Sequence, residues 1–161
     1  MAGRDRDDSG RPRSARPRDA LGRPLAPGSA GVSRVPDDLL LAPAEALAYA
    51  QDLLGRGLAF NAHEVFEAVL KNGPVHERPL WQGLAQLAVG ITHVQRGNVH
   101  GATALLRRAS AHLAHEDRPA PHAIDVSGLV DYAGALIDDL AAGVDVTPTR
   151  LRPRLVNRGA G

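Results

Sequence analysis

Three side chains able to do chemistry stand close together in the stretch AFNAHEVFEAVL, residues 59–70: His63, Glu64 and Glu67. His63 and Glu67 are four positions apart, so in a helix they share one face. An imidazole and a carboxylate at that spacing can chelate a divalent metal, or can hold and pass a proton. With about 100° per residue and His63 at zero, Leu70 falls near −20°, Phe66 near −60° and Glu67 near +40°. The projection therefore expects His63 within the apolar arc, Glu67 beside it and Glu64 at the edge, near about 100°.

A second polar set lies further on, in WQGLAQLAVGITHVQ, residues 81–95. Gln82, Gln86 and His93 form a polar stripe on a helix whose other face carries Trp81, Leu84, Leu87, Ala88, Ile91 and Val94. Three readings follow. In the first, His63, Glu67 and His93 are metal ligands, one position is left for water, and Glu64 is the catalytic general base. The local motif has Glu where a zincin has its second His, and a di-iron centre needs more carboxylates than this set supplies. In the second, a His63–Glu67 pair moves protons without metal, with Glu64 or His93 handling a second proton. No Ser nucleophile elbow, phosphate-binding glycine loop or paired aspartate motif accompanies it. In the third, the polar groups satisfy one another in a core network of His63, Glu64, Glu67, Gln82, Gln86, His93 and Asn98, with Trp81 as plain core. His76, His100, His112, His115 and His122 are scattered, and surface positions are expected for them.

The elements that must position these groups are helical. Pro43 suits the first turn of a helix running to about Arg56, with Gly55 and Gly57 as its stop. The His63 helix ends at Asn72-Gly73-Pro74, and Asn61 with Glu64 resembles a capping box at its start. A third helix should span Pro79 to Arg96, with Gly83 and Gly90 in its interior. Each glycine costs about 1 kcal/mol relative to Ala, which points to close approach of a neighbouring backbone. Asn98 is the expected cap of a fourth helix reaching His115. A fifth should cover Val126 to Ala142 and stop at Gly143. A segment with Pro148 and Pro153 follows, whose Leu151 and Leu155 are expected to lie on the bundle. Short turns between five helices imply an all-α antiparallel bundle.

Only five of the 161 residues are aromatic, so Ala, Leu and Val must build the core. The chain has no Cys, which excludes disulfides, thiolate zinc sites and thiol catalysis. No apolar run is long enough for a membrane helix, and the N-terminus has no apolar signal core, so a cytoplasmic protein is expected. Charge is divided along the chain. Residues 1–36 carry eight Arg against four Asp, residues 147–161 carry four Arg and no acid, and residues 37–146 carry a net −7. The expected organisation is an Arg/Pro-rich disordered tail over 1–36, a helical domain over 37–146 and an extended basic tail over 147–161. The basic tails raise contact with nucleic acid as a third function, though no recognition module accompanies them.

The joint pattern HEVFE followed by WQGLAQLAVGITHVQRGNVHGATALLRRA resembles the family catalogued as domain of unknown function 309. Members are small, all-helical prokaryotic proteins without an established activity. The resemblance spans about Leu47 to Leu113 and places His63, Glu64, Glu67, Gln82, Gly83, His93, Gly97 and Asn98 at motif positions. A Trp that members tend to carry is replaced near Leu70. The resemblance implies the fold and the motif residues, and no reaction. The functional expectation is a binding or interaction module with a buried His–Glu network, receiving a protein partner or a second copy. The alternative is a metal-dependent, hydrolase-like enzyme.

Overall fold

Gly57, Gly97 and Gly143 share one backbone conformation, with φ of 76°, 76° and 70°. A side chain is strained there, whereas glycine is free to adopt it. Each ends a helix in the same way. The glycine N–H donates to the carbonyl three residues back (Leu54, Val94 or Leu140), and the next N–H donates five back, to Leu53, His93 or Asp139. These bonds satisfy carbonyls that the helix leaves open, and they reverse the chain.

The computed structural model describes residues 5–6, 12–13, 18–25, 31, 35–36 and 39–157. Its helices are α1 (Pro43–Gly55), α2 (Ala59–Asn72), α3 (Arg78–Gln95), α4 (Val99–Ala114) and α5 (Val126–Ala141). Single turns of tighter helix lie at Val75–Glu77, Pro121–Ala123 and Pro148–Leu151. Each long helix packs against the one after it, which gives the all-α bundle expected from the periodicity. None of the described helices is long and apolar enough to cross a membrane.

Two helix starts share one device. Asn98 Oδ1 accepts from the Gly101 N–H, and Asp125 Oδ1 accepts from the Gly128 N–H, both at 3.0 Å. The cap satisfies an open donor of the first turn. Glycine three residues on makes room for it, since a Cβ on Gly101 would lie 2.6 Å from the Asn98 amide nitrogen. The expected capping box at Asn61 is not formed. α2 begins two residues earlier, at Ala59, without a side-chain cap. Asn61 is inside the helix, 4% exposed, and its amide donates to Glu64 at 3.4 Å.

The core runs the length of the bundle. Trp81, Phe66, Leu84, Leu87, Ile91, Leu106, Leu113, Leu129 and Leu136 are among its fully buried side chains. α3 is central, with α2 on one side and α4 on the other. The two interior glycines serve the α4 side. A Cβ on Gly90 would lie 2.9 Å from the Leu106 side chain and 3.4 Å from its backbone nitrogen, and one on Gly83 would meet Leu113 at 3.1 Å. Gly90→Val is therefore expected to destabilise the fold by about 1–3 kcal/mol through overpacking, read as a lower urea midpoint.

The segments flanking the bundle are part of its surface. After α5 the chain returns across α1, with Leu151 and Leu155 only 7% and 1% exposed, as the sequence implied. Most of the tail expected to be disordered lies outside the described residues. Of what is described, Asp5–Arg6 pairs antiparallel with Pro12–Arg13. Residues 18–25 form a small turn against α2 and α3. There the Arg18 guanidinium lies 5.2 Å from the Phe60 ring centre, and Arg96 Nε donates to the Leu21 carbonyl at 2.8 Å.

Candidate functional site

The residues singled out in the sequence separate into three groups. The first is on α2. His63 Nε2 faces Glu67 Oε1 at 3.4 Å, with side-chain exposures of 22% and 52%. The pair forms, but at the rim of the buried face. The buried arc of α2 is made by Ala59, Ala62, Val65, Phe66 and Val69, so its centre lies to one side of His63. The helical projection places His63 within the apolar arc because it counts Leu70 as core, and Leu70 is only half-buried. The hydrogen bond from His63 is the main force holding the Glu67 carboxyl below its ordinary pKa; burial opposes it and the histidine charge assists. The Phe60 ring stands 5.4 Å from the imidazole. Nδ1 of His63 is buried and has no hydrogen-bond partner. A half-exposed ion pair contributes little, so His63→Ala is expected to cost about 1 kcal/mol or less, measured by chemical unfolding.

The second group belongs to the turn between α3 and α4. Asn98 Nδ2 donates to His93 Nδ1 at 3.2 Å, while its oxygen caps α4. The Asn98 backbone N–H also donates to the His93 carbonyl at 2.9 Å. Burial, with the nearby Arg96 charge, pushes the His93 pKa down and favours the neutral ring that this acceptor role requires. His93, Gly97, Asn98 and Gly101 thus make a turn: a chain reversal, a cap and a brace for the cap. Among the described residues, no group of three or more His, Asp or Glu is arranged to hold a metal ion.

The third group is the buried polar network, and its members differ from those expected. Gln82 is exposed. Gln86 pairs with His112 of α4, whose Nδ1 lies 2.7 Å from the amide oxygen and 3.1 Å from the Arg108 carbonyl. Both neighbours are acceptors, so Nδ1 carries the proton. The most enclosed acid is Glu77, with a side chain 10% exposed. Trp81 Nε1 donates to its Oε1 at 3.0 Å, and His122 Nε2 lies 2.9 Å from the same oxygen. His76 stands 3.8 Å from the other oxygen. The Trp81 indole makes tilted ring contacts with Phe66 and His122, at centroid distances of 6.3 and 6.1 Å. This clasp ties the start of α3 to the connection between α4 and α5. At that connection His122 and Ala123 adopt left-handed φ values of 61° and 59°.

Burial opposes ionisation of Glu77. The hydrogen bonds from Trp81 and His122, with the charges of His122 and His76, outweigh it and hold the carboxyl below its ordinary pKa. A depressed folded-state pKa contributes stability above the unfolded value, about 4.3 for Glu, and that stability is lost as pH falls through the folded value. Glu116 has the opposite sign. Burial, Asp117 and Glu77 raise its pKa, so ionising it opposes folding. The contribution of Glu77 should therefore be lost in acid below about pH 4.3, and Glu77→Gln should flatten that loss in unfolding titrations run from pH 7 to pH 3.

The sequence missed Glu77 and His122 because they are 45 residues apart and fit no spacing motif. The one available signal was Trp81, an indole N–H that needs an acceptor once buried, with Glu77 one helical turn before it. Chemically, these contacts hold helix–helix register and shape the turns.

No curated protein and no solved structure matches the chain. Residues 47–105, from α1 to the first half of α4, match the model of the family described as Domain of unknown function (DUF309), and the matched stretch includes His63, Glu67, His93 and Asn98.

Proposed function

We propose that the domain is an interaction module that receives a protein partner at the end of the bundle where residues 39–43 meet the last turns of α2. The observation that carries this reading is an apolar cleft of about 370 Å³ lined by Leu39, Leu41, Pro43, Val69 and Pro74. Leu40, also in its lining, is 77% exposed, and Val75, next to Pro74, is 74% exposed. Isolated apolar side chains on a surface are ordinary, whereas two large ones at an apolar cleft form a patch suited to a partner. His93, Asn98 and Gln86 support the reading indirectly, since they are engaged in a turn, a helix cap and a contact between helices.

The test places a photo-crosslinking residue at Leu40, at Val75 or, as a control, at exposed Arg107. A discrete crosslinked partner from positions 40 and 75, lost on Val69→Glu, is expected. Equal labelling from position 107, or none from 40 and 75, would refute the reading. A product with twice the mass of the chain identifies the partner as a second copy.

A second reading, metal binding, rests on the unpaired Nδ1 of His63. A carboxylate that holds one imidazole nitrogen leaves the other as a ligand; Glu67 would then orient His63 and not itself bind the ion. Elemental analysis of untagged protein tests it. Absence of stoichiometric metal, together with no rise in melting temperature on adding zinc, manganese or iron, would dismiss it.

A further inference from the structure

The chain after α5 alternates two kinds of residue. Leu151, Pro153 and Leu155 are buried, Arg152 and Arg154 are exposed, and Arg150 is half-buried. Arg152 closes the preceding turn, with φ −121° and ψ 66°; from Pro153 onward this is the period of an extended strand, with alternate side chains on opposite faces. The inner edge of that strand is fixed at several points. Gln51 Nε2 donates to the Pro153 carbonyl and Gln51 Oε1 accepts from the Leu155 N–H, both at 2.9 Å. The Asp125 N–H donates to the Leu155 carbonyl, and the Asn157 N–H donates to the Ala123 carbonyl. All of these bonds use residues 153, 155 and 157. Backbone groups of alternate residues in a strand point to opposite edges. Those of Arg154 therefore face outward, and no hydrogen bond to the backbone of Arg152 or Arg154 occurs among the described residues.

We propose that this outer edge is a strand-addition site for an extended acidic peptide that carries Asp or Glu at every second residue. The main chain of such a peptide pairs along the open edge at Arg154, the mode by which extended peptides add to an exposed edge, and the Arg152 and Arg154 side chains meet its carboxylates. Its alternate carboxylates recur at about 6.6 Å, the same two-residue repeat that separates the arginines. Arginine presents a planar fork suited to carboxylates. Arg152 and Arg154 have no carboxylate within ion-pair distance among the described residues, whereas Arg150 is held by Asp139 at 3.4 Å. The edge borders an open cleft lined also by Tyr132, Thr147 and Thr149.

Two further observations select the partner. Single-stranded nucleic acid is bound by a basic groove together with open aromatic faces on which bases stack. The one aromatic side chain lining this cleft, Tyr132, has the Arg150 guanidinium 4.9 Å from its ring centre, and its hydroxyl donates to the Arg150 carbonyl at 2.8 Å. Exposed charge on an edge also repels an identical edge. The arginines therefore disfavour pairing between two copies of this strand and favour an acidic one.

The test uses the full chain and a fluorescein-labelled peptide of alternating Glu and Val, read by anisotropy. Saturable binding that weakens with salt is expected. The double variant R152E/R154E should lose at least about tenfold in affinity. Replacing Glu by Gln in the peptide, or methylating its alternate backbone nitrogens, should each have a comparable effect. Both arginines are exposed and without ion-pair partners, so the variant should melt as the wild type does. This site lies apart from the apolar cleft, and Leu40→Asp with Val75→Asp should leave peptide affinity unchanged. Absence of saturable binding, unchanged affinity in R152E/R154E, equal affinity of the methylated peptide, or equal or tighter binding of an oligothymidine of the same charge would each overturn the proposal.

Discussion

Trp81→Ala is expected to destabilise the fold by about 3–5 kcal/mol, the range for truncating a large buried aromatic. Two losses combine. The indole is 1% exposed and packed between Phe66 of its neighbouring helix and His122 of the connection before α5. Its removal leaves a void that the stiff helical walls fill only partly. It also removes a donor from Glu77, an acid enclosed on nearly all sides. Calorimetry or urea unfolding reads the total. A loss below about 1 kcal/mol would mean that the indole is not the packing centre of this end of the bundle.

Glu77→Ala is the second large effect, expected at about 2–4 kcal/mol. Truncation strands two partners at once: the Trp81 N–H, which is buried, and His122, whose ring stands 2.9 Å from the lost oxygen. Glu77→Gln keeps one acceptor oxygen and should cost less than alanine. Because Glu77 and Trp81 share a hydrogen bond, the losses from the two alanine variants should not add. A double-mutant cycle is expected to show a coupling of about 1–2 kcal/mol. Additive losses would show that the clasp contributes by packing alone.

The helices were legible in the sequence because their stops are chemically explicit. Gly57, Gly97 and Gly143 each follow an apolar 3.6-residue pattern, and each is found with the left-handed φ that makes it a stop. The close approach announced by Gly83 and Gly90 is found at Leu113 and Leu106. The start of α2 was misread because Asn61 and Glu64 have the spacing of a capping box. Asn61 is instead buried within the first turn, two residues after the helix begins. Spacing alone does not say which residue is first.

The site was legible only within single helices. The i and i+4 relation of His63 and Glu67 produced a real contact. Its depth was overestimated, since the projection cannot know which side the neighbouring helix takes. His93 was assigned to the same cluster because it is a histidine on the next helix. Its ring instead braces Asn98, five residues away. Contacts closed across the tertiary structure, such as Glu77 with His122 or Gln86 with His112, leave no periodic trace. The tail after Gly143 was read as basic and extended. Its role as a fixed strand depends on Gln51, more than a hundred residues earlier.

On the proposed function the domain works by binding, at the apolar end of the bundle, while the motif residues of α2 and α3 serve the fold. Hydrogen exchange of the full chain, free and in complex with the partner captured through position 40, addresses it most directly. Protection gained at residues 39–43 and 68–75, with residues 60–67 and 82–93 unchanged, is the expected result. Protection gained around His63, Gln82 and His93, with the apolar end unchanged, would contradict it.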